Sequence, residues 1–238
     1  MKRLYEKKPL LFALLWIGVY VVGFSVADSV SQALGMEKVI TAPLCAIMTV
    51  FLLLWLKKEG LWKTFGLCKP ENPAEVYLFY LPLLILISVN LWGGVQLHMS
   101  LAETVLYMLT MVGVGILEEV IFRGLLFKAM CKDSVKWAII VSSVTFGFGH
   151  IVNLLNGAEV LPTLLQIVYA TAAGFLFTIL FHRSGSLLYC ILTHSAINSL
   201  SAVAGDRGPI LEWIAPVMLT VVAAGYALWI LKQTKEKT

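Results

Sequence analysis

Three short stretches of an apolar chain contain residues whose side chains can do acid–base chemistry. They read EEVIFR at residues 118–123, FGFGH at 146–150 and HSAIN at 194–198. Placing an ionisable side chain in the middle of a bilayer costs about 2.5–3.5 kcal/mol, so such residues usually face a bundle interior and mark a function. We therefore expect the polar side chains of the three stretches to share one site: Glu118, Glu119, Arg123, His150, His194 and Asn198.

The first stretch offers two carboxylates in different settings. Glu119 and Arg123 are four residues apart, so on a helix they share a face and can neutralise each other. Glu118 is turned by about 100° from Glu119, and the residue four positions after it is Phe122. Glu118 therefore lacks a local counter-charge, and we expect it to be available as a general acid or base. Taken alone, a Glu119–Arg123 pair is equally compatible with a structural clamp between helices.

The second and third stretches repeat this four-residue spacing. Phe146 and His150 share one helix face, and His194 and Asn198 share another. A carboxylate and an imidazole can deprotonate a water molecule held between them. A second imidazole, together with an amide, can donate hydrogen bonds to a developing oxyanion. The residue types therefore favour hydrolysis of an acyl bond without a covalent nucleophile.

Two other hydrolytic chemistries stay open at this point. Glu118, His150 and His194 could ligate a zinc ion that activates the water, although the chain has no HExxH helix of the usual zinc-protease type. A serine nucleophile is less well supported, because the chain has no GxSxG turn. The candidate serines are Ser142, Ser143 and Ser195.

The composition indicates that these stretches lie in an integral membrane protein. Of the 238 residues, 59% are hydrophobic and 13% are charged, which is too few charges for the surface of a soluble domain. The basic residues do not cluster with aromatic residues on one face, which argues against a nucleic-acid partner. Apolar runs of membrane length predict one all-α domain over residues 1–238, a polytopic membrane bundle of about eight transmembrane helices. These runs are residues 10–27, 39–56, 76–97, 104–127, 135–154, 161–181, 186–204 and 209–231.

The distribution of basic residues predicts how this bundle is oriented. With eight spans and both termini in the cytoplasm, fifteen of the 18 lysines and arginines fall in cytoplasmic segments, two in outer loops and one, Arg123, within a span. Because this bias follows the positive-inside rule, we expect a multi-pass protein of the cell membrane with both termini cytoplasmic. The two outer residues are Lys38 and Arg207. The fifteen are Lys2, Arg3, Lys7, Lys8, Lys57, Lys58, Lys63, Lys69, Lys128, Lys132, Lys136, Arg183, Lys232, Lys235 and Lys237.

Taken together, the three stretches resemble the motifs EExxxR, FxxxH and HxxxN of a family of membrane proteases. This is the CAAX protease and bacteriocin-processing family, abbreviated CPBP or Abi, and the resemblance covers residues 100–205 as a motif-bearing catalytic core. It implies an eight-helix intramembrane endopeptidase with its site in a cavity within the bilayer. The implied substrate is a peptide or a membrane-anchored protein.

The resemblance also implies a role for each motif residue. Glu118 and His150 would activate the attacking water, and His194 and Asn198 would stabilise the oxyanion. The supporting residues would be Glu119, Arg123 and Phe146. The implied chemistry is of the glutamate type and needs no cofactor, while a zinc ion held by Glu118, His150 and His194 is the alternative within the same family.

Two non-proteolytic functions are alternatives. The same cavity could bind a peptide without cutting it, as in a bacteriocin-immunity membrane protein, which the resemblance permits. A proton-coupled transporter could also use a relay of glutamate and histidine side chains. The transporter is the weaker alternative, because the sequence has no pair of interrupted helices in two matching halves.

Overall fold

The computed structural model describes residues 1–233, which form helices joined by loops. The predicted all-α class is confirmed, since the strand-like pairing in residues 1–233 is limited to an isolated bridge between Val95 and Ala204. The α-helices are α1 (Lys2–Lys7), α2 (Pro9–Ala33), α3 (Thr41–Lys58), α4 (Leu81–Ser88), α5 (Leu101–Glu118), α6 (Lys128–Cys131), α7 (Val135–Phe148), α8 (Val160–Ser184), α9 (Leu188–Leu200) and α10 (Gly208–Gln233).

Turns of other winding extend several of these helices. Segments of 3-10 helix precede α4 and follow α4, α7 and α9, and a π-helix connects α5 to α6. In chain order these segments are Ala74–Tyr80, Val89–Leu91, Glu119–Phe127 (the π-helix), Gly149–Leu154 and Ser201–Val203.

Within residues 1–233, seven helical segments have the length and apolar composition needed to cross a membrane. They are Pro9–Ala33, Thr41–Lys58, Ala74–Leu91, Leu101–Cys131, Val135–Leu154, Val160–Ser184 and Gly208–Gln233. Each coincides with one of the predicted spans. The remaining prediction, residues 186–204, corresponds to a shorter apolar helix, Leu188–Val203. The chain is thus a multi-pass membrane bundle in which one predicted span is shorter than the about 17–25 residues of a typical crossing helix.

The loops gather at two ends of the bundle. At one end the amide of Leu187 donates a hydrogen bond of 2.8 Å to the carbonyl of Gly66, and at the other the amide of Gly205 donates one of 2.9 Å to the carbonyl of Gly94. We call the first the terminal end, because it also holds the N-terminal residues, and the second the distal end. The terminal end comprises residues 1–8, 59–73, 132–134 and 185–187, and the distal end comprises residues 34–40, 92–100, 155–159 and 204–207.

Glycines allow the motif-bearing helices to approach their neighbours closely. A methyl group on Gly147 of α7 would lie 2.7 Å from the carbonyl oxygen of Ile167 on α8. A methyl group on Gly115 of α5 would lie 2.8 Å from the backbone nitrogen of Ser195 on α9. Both distances are shorter than a carbon side chain tolerates, so these two helix contacts depend on residues without a side chain, as in many membrane bundles.

Candidate active site

The polar residues of the three motifs meet at one cavity inside the bundle. The cavity has a volume of about 390 Å³, and its lining includes Glu118, Phe146, His150, His194 and Asn198. These residues come from α5, α7 with its 3-10 extension, and α9. The structure therefore brings together all four residues predicted to be catalytic, together with one of the three predicted to support them. Their chemical roles stay predictions.

Glu119 and Arg123 lie behind the cavity wall and form the predicted ion pair. Both side chains are fully buried, and Arg123 Nη1 lies 3.0 Å from Glu119 Oε1. The same carboxylate oxygen lies 2.8 Å from His194 Nδ1. Because a carboxylate paired with arginine acts as an acceptor, we assign the proton to His194 Nδ1, which leaves Nε2 on the side of Glu118. Glu119 thus sets the orientation of the His194 ring.

The guanidinium of Arg123 packs against aromatic rings. Its Cζ atom lies 4.1 Å from the ring centroid of Phe146 and 5.7 Å from that of Phe177, and cation–π contacts of this kind stabilise a cation that has left water. Phe146 also stands edge-on to His150 and His194, with ring centroids 5.8 and 5.5 Å away. The phenylalanine of the FxxxH motif therefore packs between the buried arginine and both histidines.

Glu118 is the carboxylate that faces the cavity. Its side chain is 12% exposed, and its Oε2 atom lies 3.4 Å from His194 Nε2. The Tyr20 hydroxyl of α2 donates a hydrogen bond of 2.6 Å to the other oxygen, Oε1. Oε2 is buried and accepts no hydrogen bond from the part of the chain that the structure describes. The partners that the described residues give Glu118 are thus a histidine and a tyrosine.

His150 and Asn198 line the same cavity, and within residues 1–233 neither forms a hydrogen bond to Glu118. His150 lies in the 3-10 segment Gly149–Leu154, and no direct hydrogen bond joins it to Glu118 within the described residues. Asn198 lies one turn after His194 on α9 and is half-buried. Its side-chain amide has no hydrogen-bond partner among residues 1–233. Both side chains are therefore available to a molecule bound in the cavity.

The EExxxR motif lies where the winding of the chain changes. α5 ends at Glu118, and the following π-helix, Glu119–Phe127, is buried at every residue. The span predicted over residues 104–127 lies within the helical segment Leu101–Cys131, and the structure adds that its second half winds as a π-helix. Ser142 of α7 contacts this segment through a hydrogen bond of 2.9 Å that its hydroxyl donates to the carbonyl of Phe122. Helical segments of this type are frequent at functional sites.

The three candidate serine nucleophiles are hydrogen-bonded to main-chain carbonyls. Ser143 donates to Ile139 at 2.7 Å and Ser195 to Val112 at 3.2 Å, while Ser142 donates to the π-helix. None of the three belongs to the described lining of the cavity. Their hydroxyls support the helix contacts, and the geometry does not favour them as nucleophiles.

The described residues do not fit a metal site of the usual three-ligand type. In residues 1–233, no three histidine, cysteine, aspartate or glutamate side chains are grouped so that they could hold a metal ion. The alternative zinc set, Glu118, His150 and His194, lines one cavity without converging on a common point. His194 also directs its Nδ1 atom to Glu119. Zinc dependence therefore stays a question for experiment.

No motif points to Tyr20, although its hydroxyl makes the shortest contact to Glu118. The signal that could have identified it is its position. Tyrosines of membrane helices are enriched at the two membrane interfaces, whereas Tyr20 lies near the middle of α2. A hydroxyl at that depth requires a buried partner, and here the partner is the carboxylate of Glu118.

The sequence also matches a known protein family. Residues 100–200 match the family described as type II CAAX prenyl endopeptidase, Rce1-like. The match contains all three motifs and confirms the family resemblance that they predicted. It supports a multi-pass membrane protease with endopeptidase activity. No curated protein and no solved structure matches the chain.

Proposed function

We propose that the protein is an intramembrane endopeptidase in which Glu118 and His150 activate a water molecule that hydrolyses a peptide bond. The observation that carries this proposal is the hydrogen bonding of the Glu118 carboxylate. One of its oxygens accepts a hydrogen bond of 2.6 Å from the Tyr20 hydroxyl, while the other, Oε2, accepts none from the described residues. The side chain lines a cavity shared with His150, His194 and Asn198. A carboxylate held in this way is a suitable general base.

In the first step, water bound between Glu118 and His150 attacks the carbonyl carbon of the substrate. One water proton passes to Glu118 Oε2 as the new carbon–oxygen bond forms, and His150 accepts a hydrogen bond from the other. The carbonyl oxygen becomes an oxyanion. A low-dielectric cavity strengthens each of these electrostatic interactions compared with bulk water.

His194 and Asn198 are placed to stabilise that oxyanion. The Nδ1 atom of His194 lies 2.8 Å from Glu119 Oε1, which turns Nε2 towards Glu118 and the cavity. When Nε2 carries a hydrogen, it is the first donor to the oxyanion, and the amide of Asn198 supplies the second. A preorganised donor of this kind contributes about 3–4 kcal/mol to the barrier reduction in other hydrolases.

In the last step the tetrahedral intermediate collapses. The proton held by Glu118 passes to the leaving nitrogen, the carbon–nitrogen bond breaks, and a carboxylic acid and an amine are released. Glu118 returns to its carboxylate form, so the cycle consumes one water and requires no covalent intermediate. The substrate is a peptide or a segment of a membrane-anchored protein, since apolar side chains such as Phe122 and Phe177 line the remainder of the cavity.

The experiment that tests this function compares the membrane peptides of cells that express the wild type, Glu118→Ala or Glu212→Ala. Glu212 is an exposed glutamate of α10 outside the cavity lining, so it controls for the loss of a carboxylate as such. We expect one or more membrane peptides to persist uncut in the Glu118→Ala strain only. The loss of a general base lowers the cleavage rate by about 100-fold to 10,000-fold.

Two further arms separate the alternatives. A chelator added to wild-type membranes tests for a metal, and we expect cleavage to persist. Identical peptide profiles for the wild type and Glu118→Ala would contradict proteolysis. If the Glu118→Ala strain then still protected cells against a peptide toxin, the cavity would be a binding site of an immunity protein.

A further inference from the structure

The cavity occupies the distal half of the bundle. On helices that run towards the distal end, its lining lies in the second half of the helix, for example residues 20–28 of α2 and 194–198 of α9. On helices that start at the distal end, the lining lies mainly in the first half, for example residues 107–114 of the segment Leu101–Cys131 and residues 216–219 of α10. It extends just past the middle of the bundle, to Phe122 and Phe177. The cavity is therefore reached from the distal end.

Polar loop residues form the mouth of the cavity at this end. Lys38, Asn156 and Arg207 all belong to the lining, and all three are half-buried. The ammonium group of Lys38 lies 2.8 Å from a carboxylate oxygen of Asp28, and Arg207 donates a hydrogen bond to the side-chain oxygen of Asn90. Groups of this kind are hydrated easily, so the mouth is a route by which water and a polar peptide can enter.

The terminal end is closed by packed side chains. Phe65 and Leu187 are fully buried, and Phe127 and Phe181 are each 2% exposed. The chain segment around Gly66 is tied to Leu187 by a hydrogen bond of 2.8 Å. A peptide that approached from this end would have to displace this layer, whereas the distal mouth requires no such change.

Most basic residues lie at the end of the bundle opposite to the mouth of the cavity. Apart from the buried Arg123, the described lysines and arginines lie in or beside the terminal end, except Lys38 and Arg207 at the distal mouth. Lys235 and Lys237, which the sequence also assigns to the cytoplasm, lie outside the described residues. Under the positive-inside rule, the terminal end faces the cytoplasm and the distal end faces away from it.

We infer that the active-site cavity opens on the non-cytoplasmic side of the membrane and takes its substrate from there. The substrate class that follows is an exported peptide, or the exported or membrane-embedded part of an anchored protein. The C-terminal tail of a cytoplasmic protein would not reach the site. The statement about the substrate rests on the proposed function. The statement about the side on which the cavity opens does not depend on it.

The side on which the cavity opens can be tested with single cysteines and a membrane-impermeant maleimide. In a background with Cys68→Ser and Cys131→Ser, the remaining native cysteines are buried. Ala158→Cys reports the distal end and Lys132→Cys the terminal end, because both positions are exposed. On spheroplasts of a bacterial host we expect only Ala158→Cys to be labelled, and Lys132→Cys only after the membrane is permeabilised. The reverse pattern would overturn the inference.

A second arm tests the route to the site itself. In the same background, Asn156→Cys places the thiol in the cavity mouth. We expect a bulky impermeant maleimide to stop cleavage of a peptide identified in the peptide comparison when it modifies Asn156→Cys on intact spheroplasts, and to leave Lys132→Cys as active as the unmodified variant. Cleavage that continues after full modification of Asn156→Cys would refute entry through the distal mouth.

The outcomes of the two proposals can be told apart. If no peptide depends on Glu118, the proposed proteolysis fails, while the labelling of Ala158→Cys still reports where the cavity opens. If proteolysis holds but Lys132→Cys is the variant labelled on spheroplasts, the enzyme is a protease that serves the cytoplasm. Size-exclusion chromatography of each variant in detergent confirms that it has folded.

Discussion

Glu118 and Glu119 are neighbours in the sequence and differ in every contact they make. Glu119 is fully buried between Arg123 and His194, so its charge is compensated from two sides. Glu118 is partly exposed to the cavity and is held by the neutral hydroxyl of Tyr20. The rotation of about 100° between adjacent helical residues is what separates them. It places Glu119 in a buried ion pair and Glu118 at the cavity, where the proposed mechanism uses it as the base.

The Tyr20 hydroxyl positions Glu118, and its removal tests this role. Tyr20→Phe deletes the hydrogen bond of 2.6 Å without reducing the bulk of the side chain. We expect kcat to fall by about tenfold with little change in KM, because a net hydrogen bond to a charged group is worth about 1.5–3 kcal/mol. The matched control is Tyr107→Phe, which removes a hydroxyl from the same cavity away from Glu118. Equal losses in both variants, or an altered KM alone, would contradict a positioning role.

The buried Arg123 stabilises the fold through Glu119 and the aromatic rings around it. Arg123→Met leaves the Glu119 carboxylate with its histidine contact alone, and breaking a buried pair in this way costs about 3–5 kcal/mol. We therefore expect a much lower thermal unfolding temperature in detergent. In the double variant Glu119→Gln, Arg123→Met, no uncompensated charge remains, so part of the loss should be recovered. If Arg123→Met alone were as stable as the wild type, the ion pair would not contribute to the stability of the fold.

At the scale of elements, the contact between α5 and α9 sets the distance between Glu118, at the end of α5, and His194, on α9. Gly115→Ala would place a methyl group 2.8 Å from the backbone nitrogen of Ser195, so α9 has to move away and take His194 with it. We expect a stability loss of about 1–3 kcal/mol, the usual cost of overpacking, together with reduced cleavage. Thermal unfolding and the peptide assay measure the two effects.

Gly18→Ala is the control for this substitution. Gly18 lies inside α2, and no atom lies within 4 Å of the position that its methyl group would take. Alanine favours a helix over glycine by about 1 kcal/mol, so this variant should be as stable as the wild type or more stable. If Gly115→Ala behaved like Gly18→Ala, the close approach of α5 and α9 would not be needed for the site.

The spacing of residues in the sequence predicted those features of the site that depend on contacts between residues close together in the chain. The Glu119–Arg123 pair follows from their separation by one helical turn, and apolar runs are sufficient to locate the spans. The π-helix and the Tyr20–Glu118 hydrogen bond could not be predicted in this way, since both depend on packing between helices far apart in the chain. The short length of the helix Leu188–Val203 could not be predicted either, because the apolar run around it continues into the loops.

At the scale of the whole molecule, the topology depends on whether this short helix crosses the membrane. α9 starts beside Leu187, which contacts Gly66 at the terminal end, and the chain that follows it reaches Gly205, which contacts Gly94 at the distal end. The segment from Leu187 to Gly205 therefore connects the two sets of loops, and His194 lies on α9 between them. If α9 crosses the membrane, the bundle has an even number of passes and both termini share one side, as the distribution of basic residues predicts.

Reporter fusions on either side of α9 test this topology. We expect green fluorescent protein fused after Gly185 to fluoresce, because that position lies at the terminal end, and alkaline phosphatase fused after Asp206 to be active, because that position lies at the distal end. Each site should give the opposite result with the other reporter, which serves as the control. If both sites reported the same side, α9 would not cross, the C-terminus would change sides, and the charge bias would no longer assign both ends to the cytoplasm.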